Sequence, residues 1–402
     1  MRVAFPLLLA ACPGAWGFST ERVIYFVIDG PRGTEFLEDS THAHIPGIWN
    51  VLRPQGFISH GLYNNGPTQT MSGHAMLGTG AYQDIVNDGT ERPYKPLLWE
   101  YLRDQLLLPD SAGVIVIDKG KLAALSHSTS EGYGPPDSAV VLGPVNTDTV
   151  VVGTFTGYAV VAEPTIAMLC LADVDQIAHT RDWEGYLSAI ETADSLAVAL
   201  WEWIEATPPL AGTTAFIITA DHGRHDHDWT QHGCVCHGCR HLPLVALGPD
   251  FRAGVEADSQ ADIWDISTTM GLVLGIDMPL AQGRYLLEML EGETVPPEAP
   301  VVSINVQGGF VVLRWNPVTT DIDGNPEIVS CYRVYRGDEV SFQSDSTSMI
   351  ARSVPLPIFT DPDSTVVGDP EMHAFYRVDA LDLWSNPSTP SNLVGKIDFT
   401  LP

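Results

Sequence analysis

The sequence predicts a doubly wound, mainly parallel α/β domain followed by a small all-β sandwich. Near-continuous apolar runs at residues 22–29 (RVIYFVID), 112–118 (AGVIVID), 165–173 (TIAMLCLAD) and 214–218 read as strands buried on both faces. Segments of helical pattern alternate with them up to about residue 292, as in wound α/β sheets. Beyond residues 293–300 (ETVPPEAP), a linker by composition, the pattern changes to short strands at 310–315, 331–336 and 374–380 separated by turn residues. The expected organisation is therefore a leader at 1–17, an α/β domain at 18–292, the linker, and a β domain at 301–402.

Of 402 residues, 45% are apolar, enough for a sizeable core, and 50 acidic against 20 basic side chains give a formal charge of −30. Such a surface repels polyanions, which argues against a nucleic-acid polymer or an anionic bilayer as the main partner. A small phosphorylated substrate stays compatible, because bound divalent ions reverse the field locally. The first 17 residues pair one Arg with a short apolar core and small residues at Ala15 and Gly17, the pattern of a secretory signal peptide and hence of an exported protein. Leu9-Ala10-Ala11-Cys12 also resembles a lipoprotein box, which would instead leave a lipidated Cys12; both readings stay open. No later run reaches the length of a transmembrane segment.

Taken in order, the first strand delivers Asp29 to the carboxyl edge of the sheet, where open α/β sheets place their chemistry. Residues 66–80, GPTQTMSGHAMLGTG, set Thr70 just before a stretch of helical composition, as an N-cap or beside an anion site. Asn87 in VNDG is a turn residue or an oriented amide. Residues 97–107 have the pattern of an amphipathic helix. Residues 126–158 show no sustained period and are expected to be an insertion covering the sheet edge. Lys119 and Lys121 are surface lysines by default, with contact to a phosphate or a carboxylate as the functional alternative. The spacing of Asp175 and His179 puts both on one side of a helical turn. Residues 219–241, TADHGRHDHDWTQHGCVCHGCRH, hold six His and three Cys directly after a strand, a donor-rich composition that divalent zinc or its neighbours accept. Its close-set Cys234, Cys236 and Cys239 favour a loop-stapling disulfide over a structural zinc knuckle in an exported protein. Residues 262–275 read as a helix with a glycine stop.

In this order VIDG ending at Gly30, TQTMSGHAMLGTG from Thr68, D-x-x-x-H at Asp175 and DHG at Asp221 resemble the alkaline phosphatase superfamily, nearest to its nucleotide pyrophosphatase/phosphodiesterase branch. The resemblance covers residues 22 to about 290. It implies a nucleophilic threonine at Thr70, a closing T-G at Thr79-Gly80, and two divalent metal ions. Asp29, Thr70, Asp221 and His222 would surround one ion, and Asp175, His179 and a late histidine the other. His232 and His237 both qualify as that histidine, with His232 preferred; His225, His227 and His241 are left as loop or supporting residues. Asn87 matches the phosphate-contacting asparagine of that branch. Met71-Ser72-Gly73 replaces its F-P-N, so its base-binding pocket is not implied.

The expected activity is hydrolysis of phosphate esters, phosphodiesterase or phosphatase in type, through a phosphothreonine intermediate. Zinc is the first choice of metal, with manganese or iron as alternatives. An arylsulfatase would need a C/S-x-P-x-R setting, which Thr70-Met71-Ser72 does not supply. A mutase of the same superfamily fits poorly with export and an attached β domain. The competing class is a non-catalytic exported metal-binding or adhesion protein. The β domain resembles fibronectin type III modules in LRW (313–315), YRVYRG (332–337) and FYRVDALDLWSNPSTPSN from Phe375. That likeness implies a spacer or a contact with a surface, polysaccharide or protein, with Trp315 as a core anchor.

Overall fold

The computed structural model describes residues 18–292, 295–368 and 373–396. The leader, with Cys12, lies outside the described residues. The chain divides into two compact units between Glu291 and Gly292.

The N-terminal unit is built on a nine-stranded sheet. Its strands are β1 (Arg22–Ile28), β2 (Phe57–Tyr63), β3 (Gly113–Ile117), β4 (Val140–Leu142), β5 (Ile166–Leu171), β6 (Thr214–Ala220), β7 (His241–Leu247), β8 (Val255–Ala257) and β9 (Ala261–Asp262). The order is β4-β3-β5-β1-β6-β7-β2-β8, with β9 also paired to β2. The strands from β4 to β6 run parallel, while β7 runs against both β6 and β2. Strands β3, β5 and β6 are buried at every position, and β1 at all but its first residue. Helices cover both faces, so no position on these strands has a polar side to occupy, and their sequences read as unbroken apolar runs.

The helices are α1 (Thr70–Thr79), α2 (Leu98–Leu106), α3 (Asp148–Ala162), α4 (Asp173–His179), α5 (Trp183–Ala206), the single-turn α6 (His237–Arg240) and α7 (Ile263–Val273). Two departures from the sequence reading stand out. The insertion expected at 126–158 contains β4 at the sheet edge and most of α3, which runs on to Ala162 and is capped by Thr147 accepting from the Val150 amide. The polar segment before Gly66 holds β2, which joins the sheet between β7 and β8.

Register determines the site. Ile28 of β1 lies opposite Leu171 of β5 and Ala220 of β6, and Cys170 of β5 lies opposite Ile117 of β3. Four neighbouring parallel strands therefore end together. The residues just past those ends include Asp29, Lys119, the α4 segment with Asp175, and Asp221-His222.

The C-terminal unit consists of a three-stranded antiparallel sheet, from β10 (Val302–Gln307), β11 (Phe310–Trp315) and β14 (Ile358–Thr360), and a four-stranded one. The second contains β12 (Val329–Gly337), β13 (Met349–Val354), β15 (Ala374–Asp382) and β16 (Val394–Lys396) in the order β13-β12-β15-β16. Their apolar residues share one core, in which the Trp315 ring meets Tyr332 edge-on at 5.1 Å.

Candidate metal centre

At the carboxyl edge of the sheet, side chains from β1, β6 and their following loops converge. One ligand atom each from Asp29, Asp221 and His222 lie within 4.8 Å of one another, and so do atoms of Asp175, His222 and His232. His222 belongs to both groups. Its Nδ1 donates to the Gly223 carbonyl at 3.0 Å, which fixes the tautomer and turns the Nε2 lone pair inward. That Nε2 stands 3.4 Å from Asp29 Oδ1 and 3.5 Å from Asp221 Oδ2. All three atoms are buried and without a hydrogen-bond partner. Burial first, against the pull of Asp221, lowers the pKa of His222 to about 3 and leaves a neutral imidazole.

The two candidates for the late histidine occupy different surroundings. His232 stacks on His222 with ring centroids 3.9 Å apart, donates from Nδ1 to the Thr68 carbonyl at 3.1 Å, and presents Nε2 3.6 Å from Asp175 Oδ1. His237 instead meets Glu38 at 2.7 Å and stacks on His241, away from these groups. His179 sits beside Asp175 with Nε2 3.2 Å from Oδ1, and its ring lies 5.3 Å from that of His232.

Thr70 is not an N-cap. Gln69 occupies that position without a side-chain cap, and Thr70 is the first residue of α1, buried. The Thr70 carbonyl accepts from His74 Nδ1 at 2.9 Å, and the same nitrogen lies 3.2 Å from Asp221 Oδ2. Gly73 explains the departure from F-P-N. A Cβ at residue 73 would stand 2.4 Å from the Asp221 carbonyl oxygen, so only glycine lets the first turn of α1 pack onto the end of β6. Gly80 closes α1 in the left-handed region at φ 65°, where a side chain would strain the turn. Asn87 accepts from the Met71 amide at 2.9 Å and from Lys121 Nζ at 3.0 Å, which places it at the N-terminus of α1 beside Thr70.

Three more residues complete the cluster: Lys119, a surface lysine by default in the sequence with a carboxylate contact as the alternative, and Arg224 and His74, which sequence reasoning left unassigned. Lys119 Nζ bridges Asp29 Oδ2 at 2.6 Å and Asp175 Oδ2 at 2.5 Å. Burial opposes its charge, but the two carboxylates prevail and raise its pKa. Arg224 is fully buried, donating to the Gly30 carbonyl at 2.8 Å and forming a short ion pair with Asp175. Burial alone would raise Asp175; the hydrogen bond with His179 and the charges of Lys119 and Arg224 hold it well below the carboxylate range. His74 is the third, lying four residues after Thr70, a spacing that puts both on one face of a helix. For Arg224 the available signal was charge balance: three buried carboxylates at one sheet edge need cationic neighbours.

Residues 161–278 match the family model of the metalloenzyme superfamily. A 2,3-bisphosphoglycerate-independent phosphoglycerate mutase of Haloarcula marismortui is 30% identical over 176 residues, covering 43% of this chain and 33% of that protein. A phosphopentomutase of Herpetosiphon aurantiacus is 29% identical over 111 residues, covering 28% of this chain and 26% of that protein. The chain thus spans about a third or less of the length of these curated relatives. Among solved structures, a protein in the alkaline phosphatase superfamily from Vibrio parahaemolyticus superposes with a TM-score of 0.51 at 11% identity, over 79% of this chain and 81% of that one. Murine ectonucleotide pyrophosphatase/phosphodiesterase 5 superposes with a TM-score of 0.50 at 13% identity, over 68% of this chain and 100% of that one. The matched model likens residues 161–278 to the metalloenzyme superfamily, and the shared sheet gives the N-terminal unit an alkaline phosphatase-like fold.

Proposed function

We propose that the protein is an exported hydrolase of small phosphate esters that uses Thr70 as nucleophile and two divalent metal ions, zinc in first place. The observation that carries this reading is the trio of buried, partnerless donor atoms: Asp29 Oδ1, Asp221 Oδ2 and His222 Nε2. Lone pairs so close together, sealed from water, repel one another unless a cation lies among them. Carboxylate and neutral imidazole form the mixed donor set that zinc accepts. Asp29, Asp221 and His222 would hold one ion next to Thr70, and Asp175, His179 and His232 the other. Bound there, such ions lower the pKa of a nearby hydroxyl and neutralise charge on the leaving oxygen.

The chain's own residues then do the following. Thr70 Oγ1 attacks phosphorus, the ester oxygen leaves, and water in a second step releases phosphate from the phosphothreonine. His74, tied to the Thr70 carbonyl and facing Asp221, holds the first turn of α1 against the site. The Asn87 side-chain amide and the free amides of that turn would donate to the non-bridging oxygens. Lys119 keeps the carboxylates of Asp29 and Asp175 at a fixed separation. A structural neighbour of this chain is described as an inactive threonine-to-alanine variant in complex with AMP, consistent with a threonine of this kind.

The second reading is a phosphoryl-transferring mutase, favoured by the kinship to phosphoglycerate and pentose-phosphate mutases. The C-terminal unit, fibronectin type III-like in this reading, would supply a contact with a surface, polysaccharide or protein. Among the described residues, no helix is long and apolar enough to cross a membrane. The test is turnover of bis-p-nitrophenyl phosphate, p-nitrophenyl phosphate, p-nitrophenyl sulfate and 3-phosphoglycerate with zinc, manganese or calcium. Ester hydrolysis that Thr70→Ala lowers at least ~10³-fold without loss of metal is the expected result. Isomerisation of phosphoglycerate without ester hydrolysis would establish the mutase, and no turnover with any of these would leave a binding protein.

A further inference from the structure

The loop between His222 and β7 holds a second constellation of a different chemistry. His225 Nδ1 lies 2.8 Å from Cys234 Sγ, 3.3 Å from Cys239 Sγ and 3.9 Å from Cys236 Sγ. Cys234 Sγ lies 2.8 Å from Cys236 Sγ and 3.6 Å from Cys239 Sγ. We propose that His225, Cys234, Cys236 and Cys239 form a tetrahedral structural site for one zinc ion, separate from the Asp/His centre.

Zinc–sulfur and zinc–nitrogen bonds of about 2.3 and 2.0 Å place tetrahedral ligands roughly 3.5–3.8 Å apart. The distances here scatter around that spacing, with four donors surrounding one point. The disulfide expected from the close cysteine spacing is not formed: all five described cysteines are free. One disulfide would also strand the third thiol and leave His225 without a role, whereas a zinc ion uses every donor. Three thiolates and an imidazole form a closed ligand set with no open position, which marks a structural rather than a catalytic ion.

The backbone is arranged for such a site. The Gly223 amide donates to the Cys239 carbonyl, the Arg224 amide to Gly238 and the His225 amide to Gln231, at 2.8, 2.8 and 3.0 Å. These bonds fold the loop back on itself and carry His225 to the cysteines. The consequence reaches the Asp/His centre. Thr68 Oγ1 donates to the Cys234 carbonyl at 2.9 Å, and the Thr68 carbonyl accepts from His232. Zinc on the cysteines would thus lock both His232 and the segment entering α1 by closing the loop that carries them.

The test begins with the wild-type chain, purified with and without cobalt. Expected are a thiolate-to-cobalt charge-transfer band with intense visible bands of tetrahedral type, and every thiol titratable after denaturation in chelator without reductant: six in the full chain, or five where the leader with Cys12 has been removed. A cobalt protein lacking the charge-transfer band, or two fewer thiols, overturns the site in favour of the disulfide. Cys236→Ser should lose one equivalent of zinc together with the band. Asp29→Asn should keep the band, so failure of the hydrolase reading and failure of this site give different results. Should Cys236→Ser not fold, the wild-type spectrum and thiol count still decide.

Discussion

One stretch of chain between β6 and β7 feeds two donor clusters built by opposite strategies. Asp29, Asp221, His222 and Asp175 stand where parallel strands end, so sheet register brings them together before any ion arrives. His225 and the three cysteines sit on a loop outside the sheet, folded back by its own backbone hydrogen bonds, and their thiolates repel or oxidise unless a metal closes the ring. The first cluster is preorganised and uses oxygen and nitrogen donors suited to exchange and catalysis. The second would gain order from the ion it is proposed to hold, beyond what its backbone hydrogen bonds supply, which couples metal binding to local folding. Chelation should therefore leave the sheet intact while loosening residues 223–239, read as hydrogen exchange rising in that loop alone.

Asp221→Asn should break the pairing of the two clusters most strongly. Asp221 alone faces His222, His74 and the Gly30 amide, so its loss should cut turnover at least ~10³-fold and remove metal from the Asp/His centre. The thiolate-to-cobalt band should persist unchanged. Loss of both signals together would mean that the clusters are one cooperative unit.

Arg224→Met separates preorganisation from metal binding. The guanidinium neutralises Asp175 inside the sheet edge, and removing one member of a buried pair costs about 3–5 kcal/mol. Lys119 still contacts Asp175, so the lower end of that range is expected, measured as a fall in unfolding free energy of the metal-free protein. Divalent metal should restore most of the loss by supplying the missing charge; a loss unaffected by metal would place Arg224 in packing alone.

The strand-end acids were legible because apolar runs followed by Asp announce both the strand and the edge at which its residue emerges. His237 had the better motif distance in the sequence, and His232 was preferred because a disulfide in the Cys-rich loop would restrict His237; the cysteines are free, and it is the neighbours of His232, Asp175 and His222, that His237 lacks. Residues 148–162 were illegible as a helix because exposed Val150, Val160 and Val161 blur the period. The buried stripe of Asp148, Val151, Val152, Phe155 and Ala159 is nonetheless helical in spacing. Arg224 was hidden, and Lys119 was placed at the surface by default despite its carboxylate alternative, for a different reason. Charged side chains default to the surface, and only the placement of three carboxylates at one edge reveals that these two are held inside.

The same edge also offers an acid cluster without imidazole, Asp118, Asp148 and Asp173, whose ligand atoms lie within 4.8 Å of one another. Asp148 contrasts with Asp175. Burial, then the charge of Asp173, raises its pKa to about 7, while Asp175 is held low by cations. A carboxyl raised on folding makes no difference where both states are protonated, below about pH 4. It destabilises progressively as pH rises from there to about 7, because the unfolded chain ionises first, and the full penalty holds above. Asp148→Asn keeps the oxygen that accepts from the Ala172 amide at 2.8 Å and removes the charge. The variant should match wild type at pH 4 and gain on the order of 2–4 kcal/mol at pH 8, followed by denaturant unfolding at both values. An equal gain at both would assign the effect to packing, and a loss at pH 8 would mean that the three acids hold a cation after all.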